Sequence, residues 1–377
     1  MPRFLPLAAC ADDADDQPPR ELAALLGQGR ARLRSISPAI GSVGLLRHEQ
    51  DSDRLRPSLA QDSQHPGSDP IALASRPDLM ALAQKRQMAI VDDRSAEAAG
   101  GWGDDPWSAQ IAWRSRLTLP LLRGSQLLGF LIVHGDGLAV FQPEVLEALH
   151  HPLNLLQQRL AERLGAIADL HTSLHLLREI VALRDAGTGG HLERVARYCL
   201  LIGRELERQR PLPSGFADEV ARFAPLHDLG KLAIPDRVLL KPGMLDPVEL
   251  ALMRTHVTIG QALIEQLLQG FQLEHEPCLQ WLREVVGQHH ECLDGSGYPL
   301  GLRGEAIGLA GRIVAVADIY DSLTQERPYK QALADGLAME ILQGMVRGGK
   351  LDGRCVEALL GRDEQRRLIR EGVRLAG

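Results

Sequence analysis

At 377 residues, with 45% hydrophobic and 24% charged residues, the chain has a globular composition and about twice the length of an ordinary domain, so two domains are expected. A formal charge of −7 supplies no general basic face, which leaves DNA out as a partner while allowing a small anion in a local basic pocket. No apolar run has the length of a membrane span. Five scattered cysteines without a C-x-x-C pair disfavour both a disulfide scaffold and a thiolate zinc site and fit a reducing cytoplasm.

Residues 1–20 read as a flexible tail. Leu7 to Cys10 resembles a lipoprotein cleavage box, but the apolar stretch before it is short and holds Pro6, against the roughly 7 to 15 apolar residues of a secretory segment. An acidic run follows at Asp12, Asp13, Asp15 and Asp16.

Residues 21–150 read as an α+β domain. A helix is expected near Glu21 to Leu33 and strands at Ile40 to Leu46 and Met88 to Val91, while Asp51 to Asp69, rich in Ser, Asp, Pro and Gln, reads as a loop. Leu117 to Leu121 and Leu127 to Val133 flank Arg123-Gly124-Ser125-Gln126, a β-hairpin in outline. Phe141-Gln142-Pro143-Glu144 then opens a helix, with Pro143 in the first turn where its missing N–H costs little. The hairpin, the Phe and the exit helix resemble the end of a GAF domain, a small-ligand or dimerisation sensor module. The resemblance covers the last third of this half, and an unrelated α+β domain with a terminal hairpin is the alternative.

Residues 151–183 form the connecting helix. Leu153, Leu156, Leu160, Ile167, Leu170, Leu174, Leu177 and Val181 recur at mostly three- and four-residue steps, interrupted at Arg163. Two readings stand side by side: a parallel coiled coil that makes a homodimer and carries a signal, or an amphipathic helix packed on its own domain.

Residues 184–377 read as an all-α bundle and hold the chemistry. Histidine and aspartate concentrate here as His191, His227-Asp228, His256, His289-His290 and Asp318, mostly on apolar segments that read as helices. A lone buried histidine is ordinarily a hydrogen-bonded core residue. Five of them with two aspartates point instead to a metal site, because imidazole and carboxylate suit Fe, Mn or Zn and a buried acid needs a compensating partner. If His227 and Asp228 share a helix, they point about 100° apart; His227 can then hold one metal while Asp228 bridges to a second. A two-metal centre polarises a phosphoryl oxygen and generates hydroxide, giving phosphodiester hydrolysis without a protein nucleophile.

The strings His227-Asp228-x-Gly230-Lys231, His289-His290-Glu291-x-x-Asp294-Gly295-x-Gly297-Tyr298-Pro299 and Asp318-x-x-Asp321-x-x-x-x-x-Arg327-Pro328-Tyr329-Lys330 resemble the HD-GYP domain, a subgroup of HD phosphohydrolases acting on cyclic di-GMP. The match spans about Val181 to Leu333. It implies metal ligands at His191, His227, Asp228, His256, His289, His290 and Asp318, with Asp228 bridging two divalent ions per chain, Fe or Mn. It implies catalytic roles for Asp228 and for Lys231, the latter contacting the scissile phosphate or donating a proton. Lys231, Tyr298, Asp321, Arg327 and Lys330 are the implied substrate-binding set, with a guanine stacked on an aromatic ring and a phosphate met by Arg.

The implied reaction is attack by a metal-bridging hydroxide on cyclic di-GMP to give pGpG and then GMP, under control of the N-terminal domain. Some members carry a Glu four residues before the first ligand histidine, associated with a third metal. Gly187 stands there in this chain, so a binuclear centre is expected, with Asp185 as a weak substitute. A receptor for cyclic dinucleotides that signals through protein partners is the non-enzymatic alternative, and an HD phosphohydrolase for another nucleotide is the catalytic one.

Overall fold

The apolar runs of the first half pair into one antiparallel sheet, and those of the second half form helices. In the computed structural model residues 3–6, 21–50, 52–60, 70–96, 113–184, 190–326 and 331–372 are described. The chain divides into two units, Met1–Asp169 and Leu170–Gly377.

The first unit contains β1 (Arg3–Pro6), α1 (Leu22–Ile36), β2 (Ile40–Glu49), β3 (Arg54–Ala60), β4 (Ile71–Ala72), α2 (Pro77–Lys85), β5 (Gln87–Val91), β6 (Ser115–Arg123) and β7 (Gln126–Gly135). The sheet order is β1-β5-β6-β7-β2-β3-β4. The expected hairpin is β6–β7, closed at Arg123↔Gln126 with Gly124 at φ +60. Positive φ is the conformation such a two-residue turn requires.

Two expectations are corrected. Arg3–Pro6 pairs with β5, so four residues assigned to a tail form an edge strand, where Pro6 forfeits no central ladder bond; Leu7 to Cys10 lie outside the described residues. Part of the loop expected at Asp51 to Asp69 is strand β3, paired with β2 through Leu46↔Pro57 and Glu49↔Arg54. Its polar composition concealed it. Leu55 is fully buried, and Arg56 stays nearly buried because its Nε lies 2.5 Å from Glu49 Oε1.

Helix α3 (Pro143–Arg184) begins in the first unit and ends in the second. Leu153, Leu156, Leu160, Ile167, Leu170, Leu174 and Val181 are all buried within the chain itself. Leu153 lines an apolar cavity with Met88 and Leu119, and Leu156 occupies the space that a Cβ on Gly29 would need. The burial of these seven fits the amphipathic-helix reading, while Leu177 is half-buried and Leu176, Ile180 and Leu183 are exposed.

The second unit is helical: α4 (His191–Gln209), α5 (Phe216–Phe223), α6 (Asp236–Leu239), α7 (Pro247–Arg254), α8 (His256–Gly270), α9 (Leu279–Gln288), α10 (Leu309–Thr324), α11 (Asp335–Arg347), α12 (Gly353–Leu360) and α13 (Asp363–Arg370). Helix α10 is apolar on every side from Ile313 to Ala317, and all five residues are buried. A helix with no polar face belongs at the centre of its unit, and α10 packs against α4, α9, α11 and α12. Cys199, Cys278, Cys292 and Cys355 are free thiols. No helix among the described residues is long and apolar enough to cross a membrane.

One buried ion network fastens α12 to α10. Arg312 Nη1 donates to Asp352 Oδ2 at 3.1 Å, and Arg354 donates through Nη2 to the same oxygen at 2.7 Å. Burial alone would raise the Asp352 carboxyl, but hydrogen bonds from Arg354 and Arg312 more than offset it and hold it below its ordinary value. A depressed folded-state value contributes stability above the unfolded value of about 3.9 and loses it as pH falls toward the folded one. Asp352→Asn should therefore lower unfolding free energy at neutral pH by about 2 kcal/mol. Chemical denaturation should also show a weaker loss of stability below about pH 4 than in the parent chain; equal stabilities and equal acid slopes would remove the network from the account.

Candidate metal centre

Helix α5 stops at Phe223 because Pro225 cannot supply the next helical N–H. Ala224–Leu226 and Leu229–Ala233 are 3-10 turns, so His227 and Asp228 lie between two tight turns and not on the α-helix expected for them. Asp228 sits at φ −96, ψ 15, in the sparse bridge region favoured at functional sites. Gly230 lets this turn press on the start of α8: a Cβ there would lie 1.8 Å from the His256 carbonyl oxygen and 2.7 Å from the Gly260 nitrogen. The motif glycine thus sets the distance between Asp228 and His256.

The other candidates come from helix ends and from the central helix. His191 opens α4 directly after Gly190, whose φ is +79, and His256 opens α8. His289 caps the C-terminus of α9, His290 follows it, and Asp318 lies on α10. All seven residues converge in two sets, Asp228 with His256, His289 and His290, and His191 with His227 and Asp318. The donor atoms of each set lie within 4.8 Å of one another.

The hydrogen bonds fix which nitrogen of each ring is available. Nδ1 of His227 lies 2.8 Å from the Ala224 carbonyl oxygen, Nδ1 of His256 lies 2.7 Å from that of Met253, and Nδ1 of His289 lies 3.1 Å from that of Val285. A carbonyl only accepts, so each Nδ1 carries its proton and each Nε2 presents a lone pair inward. This is the arrangement of metal-ligating imidazole. His191 Nδ1 instead donates to Asp321 Oδ2 at 2.7 Å, leaving Nε2 3.5 Å from Asp318 Oδ1.

Asp228 faces both sets. Its Oδ1 lies 3.2 Å from His256 Nε2 and 4.0 Å from His289 Nε2, while its Oδ2 lies 3.1 Å from His227 Nε2 and 2.6 Å from Lys231 Nζ. His227 Nε2 is buried and has no partner in hydrogen-bonding geometry, the 3.1 Å approach to Asp228 included. Such an atom calls for an electropositive partner.

The electrostatics agree with this donor set. Burial opposes charge on Asp228, yet Lys231 and His227 keep the carboxyl well below its usual range. Burial pushes His256 and His289 below their ordinary values and His290 down to about 4, so these three are neutral donors at pH 7. Burial opposes charge on His227 as well, but the Asp228 and Asp318 carboxylates raise it to about 9. The field at that nitrogen favours a cation. Imidazole and carboxylate donors, inward lone pairs and an orphaned buried nitrogen together fit divalent metal.

Two of the expected substrate contacts are placed and two are not. Tyr298 stacks on His290 with ring centroids 4.7 Å apart, and Lys231 stands beside Asp228. Arg327 and Lys330 lie outside the described residues, as do Asp185 and Gly187. Asp321 is a correction: its side chain is 1% exposed, and its oxygens are taken by His191 Nδ1 and by Arg194 at 2.6 and 3.0 Å. It orients a ligand and does not face a substrate. Arg194 was missed, although a cation one turn after His191 on the same helix face was a usable signal.

Glu291 has a role that its motif did not reveal. It is buried and accepts hydrogen bonds from the Leu300 and Leu302 nitrogens at 2.8 and 3.0 Å. The loop bearing Tyr298 is thereby tied to the end of α9. Gly297 permits the closeness, because a Cβ there would lie 2.4 Å from the Cys292 nitrogen and 2.5 Å from the His290 carbonyl oxygen.

Asp321→Asn should weaken divalent-metal binding by about 10- to 100-fold, the usual cost of removing a carboxylate that orients a ligand histidine. Competition with a chromophoric chelator reads this directly, and unchanged affinity would show that His191 needs no such support.

A family profile described as HD domain matches residues 175–355. Over 210 residues the chain is 41% identical to the "Cyclic di-GMP phosphodiesterase response regulator RpfG" of Xanthomonas campestris, covering 54% of this chain and 51% of that protein. Over 203 residues it is 37% identical to a Vibrio cholerae protein named "3'3'-cGAMP-specific phosphodiesterase 2", covering 53% and 37%. The chain thus spans about half or less of the length of these curated relatives. A solved GAF domain/HD domain protein from Geobacter sulfurreducens aligns with 37% of this chain and 91% of its own at 12% identity and a TM-score of 0.28. The segment that assembles both sets of ligands, residues 175–355, is an HD domain.

Proposed function

We propose that this chain is a metal-dependent phosphodiesterase of the HD-GYP type, acting in the cytoplasm. It hydrolyses cyclic di-GMP to pGpG, with GMP as a further product, under regulation by a GAF-like N-terminal unit. The observation that carries the reading is the Asp228 carboxylate, which turns one oxygen to each set of donors. That supports two divalent cations, Fe or Mn, one held by His191, His227, Asp228 and Asp318 and one by Asp228, His256, His289 and His290. When bound, they supply Lewis acidity to a phosphoryl group and a nucleophile from water at neutral pH.

The chain's own groups do the rest. The backbone carbonyls of Ala224, Met253 and Val285 hold three imidazoles in one tautomer, so no reorganisation is needed when charge develops. Lys231, 27% exposed at its side chain and beside Asp228, offers a cation to a non-bridging phosphate oxygen and a proton to the departing 3′-oxygen. Burial and the Asp228 charge push the Tyr298 phenol up, so it remains a hydrogen-bond donor at pH 7. Arg327 and Lys330 complete the proposed phosphate contacts.

The cGAMP-specific relative favours one second reading, in which a mixed guanine–adenine cyclic dinucleotide is the better substrate. Protein purified without oxygen and reloaded with Fe(II) or Mn(II) should cleave cyclic di-GMP faster than 3′3′-cGAMP. Asp228→Ala should lose both turnover and metal. Lys231→Ala should keep its metal and lose about 100-fold in kcat, as expected for a positioned proton donor. Preference for 3′3′-cGAMP would select the second reading. Tight binding without turnover in fully metallated protein would make the chain a receptor that signals through protein contacts.

A further inference from the structure

Tyr298 is the residue on which a guanine was expected to stack, and two planar groups already lie against its ring. The His290 ring is 4.7 Å away and tilted by only 26°. The Arg254 guanidinium lies over the ring with its central carbon 5.0 Å from the centroid.

Arg254 is the last residue of α7 and is exposed. Among the described residues no carboxylate pairs with its guanidinium. The preceding Met253 carbonyl receives His256 Nδ1, which ties this position to the centre through the backbone. Helix α7 begins with a capping box in which Asp246 accepts from the Val248 and Glu249 nitrogens.

We propose that Arg254, not Tyr298, is the platform for a substrate base: a guanine stacks on the exposed side of the Arg254 guanidinium, which lies over the Tyr298 ring. The inference rests on the phosphodiesterase reading and adds a specificity-determining residue to it. A guanidinium is planar, weakly hydrated and able to stack on a π-face in a way that an ammonium is not. The contact with Tyr298 also accounts for an exposed arginine that has no acidic partner among the described residues, beside a half-buried ring.

The test uses the metal-loaded full chain with Arg254→Ala and Arg254→Lys. Stacking of a base contributes enough that both variants should raise KM for cyclic di-GMP by about tenfold, with kcat and metal content retained. Lysine keeps the charge and loses the plane, so its failure to rescue is the signature of stacking. Rescue by lysine would overturn the proposal in favour of a plain phosphate contact. An unchanged KM in Arg254→Ala would overturn it, as would loss of metal or of kcat, which marks a purely structural role. A parent chain that turns over no cyclic dinucleotide would sink the phosphodiesterase reading and this inference with it, an outcome visible before any variant is compared.

Discussion

The site depends on one buried carboxylate kept ionised between two sets of imidazoles. Asp228 is 5% exposed, and an unpaired charge at that depth costs several kcal/mol. Lys231 and His227 compensate it at Oδ2, and its two oxygens have different neighbours. A protonated or mispositioned Asp228 would leave two unconnected groups of donors.

The surrounding backbone maintains that geometry. Backbone carbonyls of a 3-10 turn, of α7 and of α9 accept the Nδ1 protons of His227, His256 and His289. Each of these hydrogen bonds fixes a ring tautomer. Asp321 and Arg194 perform the same service for His191 from α10 and α4. Asp318 and Asp321 follow directly on the fully buried stretch Ile313 to Ala317 of α10, which holds them in place as a preorganised centre requires.

The sequence made the helical character of the second unit legible, because runs such as Ile313 to Ala317 have no polar face, and it named the seven residues that the fold brings together in two sets. It did not reveal that His227 and Asp228 leave the helix, since Pro225 reads equally well as a first-turn proline. Asp321 looked like a substrate contact because its burial follows from tertiary packing against His191, which no local pattern records. In the first unit the β6–β7 hairpin was readable from alternating apolar residues around Gly124. Strand β3 was not, because Arg54, Arg56 and Pro57 mimic loop composition until pairing with β2 and Glu49 accounts for them. The helix pattern from Leu153 to Val181 fits a coiled coil and a packed amphipathic helix equally, because both gather the same residues on one face.

The most direct test of the account is anomalous diffraction from crystals of the chain loaded with Fe(II) or Mn(II). Two peaks about 3.5 to 4 Å apart, one on each side of the Asp228 carboxylate, would establish it as the shared ligand. A single peak held by one set, with Asp228 turned away from the other, would contradict the two-cation reading.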